Sequence, residues 1–504
     1  MKHNGLKFVV AIAVGCTAAT SFAQSGLQYP GSVQPVAYDY YAPDSGAATA
    51  TDKSAPPAPP AAAPAAAAPA AAPAAPDCSA AAPAAAPSCN SCGCDSCGCG
   101  TGWLWLLGDQ CPLTCPDQTT KRLFENNCWL KCHNITVTGL IDAGVAARDG
   151  SRGDNFLGPD GFDDRDYEGQ LNQIDTVIAK AVKPQECCWD WGFTIETIYG
   201  TDYRYPLARG LDAYDNGSPK WNTDPRNFYG LALPQAYLEF SVGTKFDYKV
   251  GHQYTLLGYE VVNPSGNFFY SHTYTFLYAY PFTQTGVVGT YTQNDYVTWN
   301  YGINEGWDNF NDTDENISYT GGVTIKSCDK KTTLAWFFQE GNEPITGVTG
   351  PDANRYVNSI VLTKNLTDRT TFVLENADGF QSRGARDGGT SSWFGLTDYL
   401  TYKVNCCWTA GLRSEWFRDT NGTRVAPVGD FDTPNGNTAS VGGFEGNFYD
   451  VTLGANYKPN GNLTVRPEIR YDLFNGSDLN GVKPYLSGTS NHQWVYAVDA
   501  VVLF

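Results

Sequence analysis

The segment LTVRPEIRYDLF, residues 463–474, constrains the fold more than any other stretch of the sequence. Its odd-numbered residues are apolar or aromatic, while the positions between them include Arg466, Glu468 and Arg470. Because successive side chains of a β-strand point to opposite faces, one face of this strand is apolar and the other is ionic. The core of a β-sandwich would not accommodate the ionic face. The pattern therefore predicts a sheet that separates an apolar phase from water.

The same alternation recurs in other predicted strands. CWTAGLRSEWFRD, residues 407–419, places Arg413 and Glu415 opposite a face of Trp and Leu. WDWGFTIETIYG, residues 189–200, sets aromatic residues and Ile against a polar face. An arginine or lysine that faced lipid at mid-bilayer would cost about 2–4 kcal/mol, so the ionic faces are expected to line a watery lumen.

The connections between predicted strands alternate strictly between short and long, which limits the architecture further. Long loops rich in Gly, Asp and Asn are predicted at about 341–353, 380–390, 419–446 and 475–490. In total, the sequence from His133 to Phe504 predicts about 16 antiparallel strands. An even strand number, with short turns at one end and long loops at the other, is typical of a transmembrane β-barrel. A soluble all-β protein is the alternative, but the sequence lacks a propeller's blade repeat.

The end of the chain fits this architecture. In QWVYAVDAVVLF, residues 493–504, every even-numbered residue is apolar or aromatic. We expect the strand 491–504 to pair with 133–147, closing the barrel, and to turn the side chains of Trp494 to Phe504 toward lipid. The terminal aromatic residue resembles the signal by which outer-membrane barrels are recognised for assembly, so Phe504 is the predicted assembly signal.

Composition and the N-terminal region set the remaining limits. After the N-terminus no apolar run is long enough for a membrane-spanning helix, and a net charge of −19 argues against a nucleic-acid partner. The start of the chain has the pattern of a secretory signal cut after Ala23, although a lipid-anchored start at Cys16 is an alternative. The predicted segments are a signal peptide (1–23), a disordered mature N-terminus (24–54), an Ala/Pro-rich spacer (55–88), a Cys-rich segment (89–127) and the barrel (128–504).

Cysteines are grouped in a way that suggests oxidation. Five thiols lie between Cys89 and Cys99, and in an exported protein disulfides are favoured over a zinc site, since the crowded spacing lacks two separated CxxC pairs. The barrel cysteines lie before the first strand or in short turns, so they share one side with the Cys-rich segment. The residues predicted to form disulfides are Cys128, Cys132, Cys187, Cys188, Cys328, Cys406 and Cys407.

An opening strand ITVTGLIDAGV and the closing strand flank a middle segment that contains a Gly-x-x-Tyr/Phe-Thr-x-x-Gly-Tyr-Glu motif followed by Pro-Phe-Thr-x-Thr-Gly. The motif positions are Gly251, Tyr254, Thr255, Gly258, Tyr259, Glu260, Pro281, Phe282, Thr283, Thr285 and Gly286. On these features, roughly residues 133–504 resemble the OmpL-like β-barrel porins of bacterial outer membranes. The resemblance implies an outer-membrane porin with membrane lipids and the barrel assembly machinery as partners, and it leaves assembly as a homotrimer open.

Two partitions of this middle segment are compatible with 16 strands. The favoured one makes 270–282 a strand, because its even residues are aromatic or His, and leaves 257–269 with Glu260 as the constriction loop. The alternative makes 257–283 an inward-folded loop, followed by strands at 284–292 and 295–304.

These observations predict a porin, without cofactor or metal, that passes small hydrophilic solutes passively. The chain has no HExxH, GxSxG or Walker-type motif that would indicate an enzyme. Acidic loops at the mouth predict at most a mild preference for cations. The competing class is a structural envelope protein whose barrel anchors the N-terminal segment to the cell wall. The predicted pore-lining residues are Asp190, Glu196, Lys249, Glu260, Arg413, Glu415, Arg466, Glu468 and Arg470.

Overall fold

A computed structural model of the chain describes residues 117–150, 156–184, 186, 188–214, 218–222, 228–311, 316–343, 353–385, 387–425, 443–479 and 481–504. The predicted signal peptide, mature N-terminus and Ala/Pro spacer lie outside the described residues. So do the larger part of the Cys-rich segment and Cys187.

Sixteen antiparallel strands form one closed barrel, which confirms the predicted fold class and strand number. Each strand pairs with its two neighbours in sequence, and the last pairs with the first. The strands are β1 Thr136–Arg148, β2 Gly169–Lys180, β3 Trp189–Gly200, β4 Gly230–Val242, β5 Phe246–Tyr254, β6 Thr283–Asn294, β7 Val297–Asn304, β8 Ser318–Lys326, β9 Thr332–Glu343, β10 Ala353–Asn365, β11 Thr370–Gln381, β12 Ser391–Lys403, β13 Trp408–Asp419, β14 Gly446–Tyr457, β15 Leu463–Gly476 and β16 His492–Leu503.

The barrel closes through the pairing of β1 with β16, as the sequence predicts. Leu140 lies opposite Leu503, and the ladder continues to the pair of Arg148 and Val495. Beyond the last strand residue, the Phe504 N–H donates to the carbonyl of Gly139 at 2.9 Å and the Gly139 N–H donates back at 3.0 Å. Closure leaves no strand edge unpaired, which is the condition for a sheet to cross a bilayer.

The two faces of β16 are divided as predicted. Trp494, Tyr496 and Val498 are exposed on the outer surface, whereas Gln493 and Asp499, which belong to the opposite face of the strand, are buried inside the barrel. Exposed large apolar side chains recur along the outer surface of nearly every strand. The barrel is thus apolar outside and polar inside, the inverse of a soluble globular domain.

The connections separate the barrel into two rims. The short-turn rim carries brief connections such as 243–245 and 295–296, and the long-loop rim carries connections such as 201–229 and 420–445. A short helix, α1 (Cys128–His133), precedes β1 at the short-turn rim. The described members of the predicted disulfide set all lie at this rim. The disulfides themselves stay a prediction.

The favoured partition of the middle segment is wrong and its alternative is right. Residues 255–282, called the inward loop below, connect β5 to β6 and contain a short helix, α2 (Tyr274–Tyr278). The Thr273 side chain begins α2 by accepting from the Phe276 N–H at 3.0 Å. Residues 270–282 are buried at even and odd positions alike, so their aromatic parity reflects packing inside the barrel and not contact with lipid.

A hydrophobic cluster fills part of the barrel interior around α2. Phe276, Leu277 and Tyr278 of the inward loop pack in one cluster with wall residues such as Phe337 and Phe417. The interior is therefore partly a packed core and not an open water-filled cylinder. Among the described residues, no helix is long and apolar enough to cross a bilayer.

The described part of the N-terminal segment runs along the short-turn rim. The Gln118 side chain donates to the Lys458 carbonyl at 3.3 Å, and the Thr120 hydroxyl donates to the Gly461 carbonyl at 3.0 Å. The Lys121 N–H donates to the Asn462 side chain at 3.0 Å. These bonds fix residues 118–121 against the turn between β14 and β15.

Candidate pore constriction

Glu260 is the centre of the inward loop's own hydrogen bonds. Its carboxylate accepts from the His272 ring at 2.9 Å and from the Thr273 N–H at 3.0 Å, which joins the two ends of the segment between them. From the barrel wall, the Tyr399 hydroxyl donates at 2.9 Å and Arg413 approaches at 3.2 Å. Glu260 thus fixes the loop's internal shape and attaches it to β12 and β13.

The charges of this centre follow from its burial. Burial by itself would raise the pKa of Glu260, but the hydrogen bond from His272 and the Arg413 charge lower that pKa to about 2. Burial lowers the pKa of His272 below its ordinary value, more than the contact with Glu260 raises it. At neutral pH the centre is therefore an ionised carboxylate that accepts a hydrogen bond from a neutral imidazole.

Arg413 and Arg466 hold the loop by its backbone carbonyls. The Arg413 guanidinium donates to the Ser271 carbonyl at 2.7 Å. Arg466 donates to the carbonyls of Pro264, Asn267 and Phe269 at 2.8, 3.0 and 3.0 Å. Asp499, from the neighbouring strand, accepts from the same guanidinium and neutralises it. One planar donor group can serve several acceptors in this way, which a lysine could not reproduce.

Arg470 completes this row of arginines on the inner wall. It donates to the His272 carbonyl at 2.6 Å and forms ion pairs with Asp472 at 2.7 Å and Asp160 at 3.0 Å. Asp160 belongs to the loop between β1 and β2, so this one guanidinium joins two loops to the wall. All three arginines are at least 97 per cent buried.

Three wall carboxylates hold the loop by its backbone N–H groups. Glu468 accepts from the N–H groups of Tyr270 and Ser271 at 2.8 and 3.1 Å. Glu415 accepts from the N–H groups of Tyr274 and Thr275 at 2.8 and 2.7 Å, at the start of α2.

Glu375 holds both ends of the inward loop. It accepts from the Tyr259 N–H at 3.1 Å and from the Tyr280 hydroxyl at 3.0 Å. The inner face of β11–β16, which carries these arginines and carboxylates, is called the clamp wall below.

Glycines on the clamp wall provide the space that the loop occupies. A side chain at Gly411 would overlap the Phe268 ring, and one at Gly395 would overlap Thr275. Gly454, which is paired with Gly411 across the sheet, lies against the Phe269 ring in the same way. Glycine inside a strand often marks such a close approach. These three positions form a shallow seat for the inward loop.

The inner face of β6–β9 is different in character and is called the neutral wall. The charged residues on this face are Lys326 and Glu343, each at the end of its strand. The Asn300 side chain bonds to the Thr290 hydroxyl at 2.8 Å, within the wall itself. The uncharged polar side chains of this wall include Thr290, Thr298, Asn300, Thr320, Thr324, Thr333 and Gln339, together with Gln284, Asn304 and Ser318 nearer the long-loop rim.

The structure brings six of the nine predicted pore-lining residues together around the inward loop, and leaves three apart. Glu196 accepts from Gln235 and from the Tyr254 hydroxyl, both at 2.6 Å. Lys249 and Asp190 lie nearer the short-turn rim, where Lys249 pairs with Glu239 at 3.9 Å and Asp190 accepts from the Lys183 N–H at 2.8 Å. The lining of the pore by these nine residues stays a prediction.

Sequence reasoning missed several members of the site. Glu375 and Tyr399 lie in strands from which the sequence analysis selected no residue, and Asp499 was noted only as a member of the polar face of the last strand. The wall glycines did carry a signal, because Gly395 and Gly411 interrupt alternating strands at inward-facing positions. Read as close approaches of backbone, they would have indicated a packed loop on this wall.

Comparison with known proteins gives one family. Residues 134–504 match the family model described as "Putative beta-barrel porin-2, OmpL-like". None of the proteins with curated descriptions matches the chain. Among the residues that the structure describes, no group of three His, Cys, Asp or Glu side chains is placed to hold a metal ion.

Several solved outer-membrane proteins have a similar barrel. The outer membrane channel DcaP of Acinetobacter baumannii has a TM-score of 0.47 at 10% identity, covering 73% of this chain and 97% of that chain. The trimer form of OmpT of Vibrio cholerae has a TM-score of 0.46 at 10% identity, with 73% and 99% covered. OprB of Pseudomonas putida has a TM-score of 0.47 at 10% identity, with 78% and 100% covered.

Proposed function

Because the chain belongs to the family of OmpL-like β-barrel porins, it is an outer-membrane channel, and we propose that its diffusion path runs between the inward loop and the neutral wall. The observation that supports this path is the one-sided attachment of the loop. The clamp wall uses its charges on the loop backbone, whereas Thr298 and Thr324 of the neutral wall are partly exposed. The path is thus bounded by hydroxyl and amide groups on one side.

Such a path suits small, uncharged or weakly charged hydrophilic solutes. Hydroxyl and amide groups exchange hydrogen bonds with a hydrated solute without holding it by a full charge, so binding stays weak enough for release. Five of the predicted pore-lining residues, Arg413, Glu415, Arg466, Glu468 and Arg470, are buried against the inward loop, so the proposed path does not run along them. The acidic loops at the mouth still favour at most mild cation preference.

Planar bilayer recording tests the channel. The purified full chain should give stepwise conductance that is small for a barrel of this strand number, because the inward loop and its hydrophobic cluster occupy much of the interior. A reversal potential that showed clear anion selectivity under a salt gradient would contradict the predicted preference.

A structural envelope role remains a second candidate because of the same hydrophobic cluster. The cluster joins α2 to wall residues that include Val288 and Ala335 of β6 and β9, so the packed region reaches the neutral wall as well. A barrel that serves only as an anchor should stay silent in the bilayer recording. Full-length protein that inserts normally but shows no conductance steps would favour this role over the diffusion path.

We also propose that the short-turn rim faces the periplasm, which places the Cys-rich segment there. The bonds of Gln118, Thr120 and Lys121 to the turn between β14 and β15 support this placement. Disulfides within this rim or to the Cys-rich segment follow as a hypothesis. Mass spectrometry of non-reduced peptides should find them, and free thiols alone would contradict the hypothesis.

Phe504 is proposed as the assembly signal. Its ring lies against Gly139, and its backbone extends the pairing of β16 with β1 on the outer surface. Deletion of Phe504 should lower the amount of folded barrel in the outer membrane more than the conductance of the barrels that do insert. Heat-modifiable mobility on gels measures the first quantity, and normal insertion of the deletion variant would contradict the proposal.

A further inference from the structure

Three arginines converge on two tryptophans inside the long-loop end of the barrel. The Arg355 and Arg424 guanidinium groups lie 4.6 and 4.8 Å from the centre of the Trp307 ring. Arg424 also lies 4.8 Å from the centre of the Trp393 ring. Arg209 is near enough for its positive charge to act on Arg355. Arg209, Arg355 and Arg424 are called the mouth arginines below, and Arg355 belongs to β10, the strand between the neutral wall and the clamp wall.

Hydrogen bonds to backbone groups hold the mouth arginines in place. The Arg209 N–H donates to the Asp308 carbonyl at 2.9 Å, which joins the loop 201–229 to the loop after β7. The Arg424 guanidinium donates through Nε to the Tyr278 carbonyl at 2.7 Å, at the end of α2. Arg355 and Arg424 are each 6% exposed, whereas Arg209 is half-buried. The mouth arginines are therefore a fixed part of the interior that reaches solvent at Arg209, which belongs to a long loop.

The mouth arginines leave most of their hydrogen-bond donors unused. The Nε atoms of Arg209 and Arg355 are buried without a partner. Among the described residues, the Arg355 side chain has one hydrogen bond, from Nη2 to Gln381 at 2.9 Å, and the Arg424 side chain has only its bond to the inward loop. On the clamp wall, by contrast, every nitrogen of the Arg466 guanidinium has an acceptor. Because a guanidinium has five N–H donors, the mouth arginines can still bind a further acceptor.

The nearby carboxylates bind backbone N–H groups and so do not use these donors. Glu343 accepts from the Trp307 N–H at 3.0 Å, and its other oxygen is 3.8 Å from Arg355, which is too long for a hydrogen bond. Asp419 accepts from the backbone N–H of Arg424 at 2.7 Å. Burial and the charge of Arg355 lower the pKa of Arg424 to about 9. Such a lowered pKa is expected where positive charges lie close together with too few anions in contact.

We propose that the mouth arginines bind the oxyanion group, a carboxylate or a phosphate, of a solute that enters from the long-loop side. A guanidinium presents two parallel N–H donors to two oxygens of such a group. The contacts with Trp307 and Trp393 hold Arg355 and Arg424 in position before the solute arrives. The inference rests on the proposed diffusion path, and it narrows the weakly charged solutes of that path to those with an oxyanion group.

This binding is compatible with the predicted mild preference for cations. The acidic loops act at long range on every mobile ion, whereas the mouth arginines act on an oxyanion in direct contact. A chloride ion has no pair of oxygens to accept the two parallel donors. Potassium and chloride currents are therefore expected to follow the acidic loops, and oxyanion binding is measured separately from them.

Single-channel recording of the purified full chain tests the binding. Potassium acetate or inorganic phosphate is added at constant ionic strength, and acetamide serves as a probe with the shape of acetate but no charge. Each oxyanion should reduce the current in a saturable way, and acetamide should not. The stronger block of the two identifies whether the site prefers a carboxylate or a phosphate. No saturable block by either oxyanion, or an equal block by acetamide, would overturn the proposal.

Arg355→Gln removes one guanidinium from the site, and Arg418→Gln is its matched control. Arg418 is near the same rim but faces the outer surface, where it donates to Asn447 at 3.1 Å. The oxyanion concentration for half-maximal block should rise about tenfold in Arg355→Gln, because charge-assisted hydrogen bonds are lost. Arg355→Lys, which keeps the charge without the planar fork, should show a smaller rise. An unchanged concentration in Arg355→Gln, or an equal rise in Arg418→Gln, would overturn the proposal.

A second measurement separates this site from the proposed path. Acetate or phosphate should raise the temperature at which the parent chain loses its heat-modifiable mobility, relative to potassium chloride of the same ionic strength. The same addition should leave Arg355→Gln unchanged. Conductance steps without an oxyanion effect in either measurement would overturn the site and leave the path intact. A silent barrel that the oxyanions still stabilise would overturn the path and support the site.

Discussion

The clamp wall and the neutral wall belong to the same barrel, but their inward-facing polar side chains have different hydrogen-bond partners. On the clamp wall, Arg466 and Glu468 use their charges on the backbone of the inward loop. On the neutral wall, the Asn300 side chain donates to the Thr290 hydroxyl within the wall and not to the inward loop. The difference shows that charge on the inner face of a porin barrel can serve to hold a loop, and need not mark the path of the solute.

The clamp wall needs charged side chains because of the backbone of the inward loop. A loop inside a barrel carries N–H and C=O groups that no neighbouring strand satisfies, and each unsatisfied buried group costs about 1–3 kcal/mol. Arginine and glutamate supply those partners at long reach, and their opposite charges neutralise one another across the clamp wall. A wall that faces water has no such need.

The largest expected effect comes from Arg466→Ala. The change removes the donor for three loop carbonyls and leaves the Asp499 carboxylate buried without its cation. Breaking a buried ion pair from one side costs about 3–5 kcal/mol, and the freed loop should enlarge the conductance steps. Heat-modifiable mobility measures the stability and bilayer recording measures the steps.

Lys249→Ala is the matched control for this substitution. Its ion pair with Glu239 is partly exposed and involves no residue of the inward loop, so the expected cost is about 1 kcal/mol or less. Equal losses of stability from the two substitutions would show that the clamp wall has no special role.

A somewhat smaller effect is expected from Gly411→Val, which changes the shape of the clamp wall and leaves its charges unchanged. The added side chain would overlap the Phe268 ring and displace the inward loop from its seat. Overpacking of this kind costs about 1–3 kcal/mol. Gly169→Val serves as the control, because a side chain there meets open space. Unchanged stability and conductance in the Gly411 variant would contradict the role of this glycine in making room for the inward loop.

The path itself is tested by placing a charge on each wall. Thr298 and Thr409 are each the second residue of a strand, are half-buried and point inward. Thr298→Asp should raise the ratio of cation to anion permeability by up to about fivefold, since unit charges 4 Å apart in water interact by about 1 kcal/mol. Thr409→Asp should leave the reversal potential close to that of the parent chain. A larger shift of the reversal potential from Thr409→Asp would indicate that the path runs along the clamp wall and would contradict the proposed path.

The smallest expected effect is a dependence on pH at the end of the inward loop. Asp308 accepts from the N–H groups of Phe282 and Thr283 at 2.9 and 2.8 Å. Burial raises the pKa of Asp308 to about 7, because these hydrogen bonds offset it only in part. The raised pKa means that the folded state binds the proton more tightly, so its stabilisation is complete below about pH 4 and is lost as the pH rises through 7.

Open-channel current fluctuations should therefore increase between about pH 5 and about pH 9 as the end of the loop loosens. Asp308→Asn should flatten this dependence, since an amide does not titrate in this range. The same pH dependence in the variant would assign the effect to another group.

The sequence was sufficient for the barrel because strand alternation and loop length are local properties. The outward set of β16 and its pairing with β1 follow from side-chain parity and from the even strand number. The inward loop was less predictable, since residues 270–282 have the aromatic alternation of a lipid-facing strand. Parity reports which residues share an environment, but it cannot say whether that environment is lipid or a packed interior.

Some residues around the inward loop could be selected from the sequence, but their role could not. Arg413, Glu415, Arg466, Glu468 and Arg470 were found because charge stands out in an alternating strand. Their partners are backbone atoms of the inward loop, and backbone atoms leave no trace in a sequence. Asp499 was read only as a water-tolerant position, because its partner Arg466 lies on another strand.

The inward loop precedes its attachment points in the chain by a long interval. Arg413 is 142 residues beyond the Ser271 carbonyl that it binds, and Arg466 is 202 residues beyond Pro264. Contacts this distant in sequence form late and slow folding. The loop therefore lacks its arginine partners until β13 and β15 are in place, and the strands from β13 to β16 also complete the cylinder through β1. We expect insertion of the last strands and full attachment of the loop to coincide late in biogenesis, so that an unfinished barrel would leave a wider opening in the membrane.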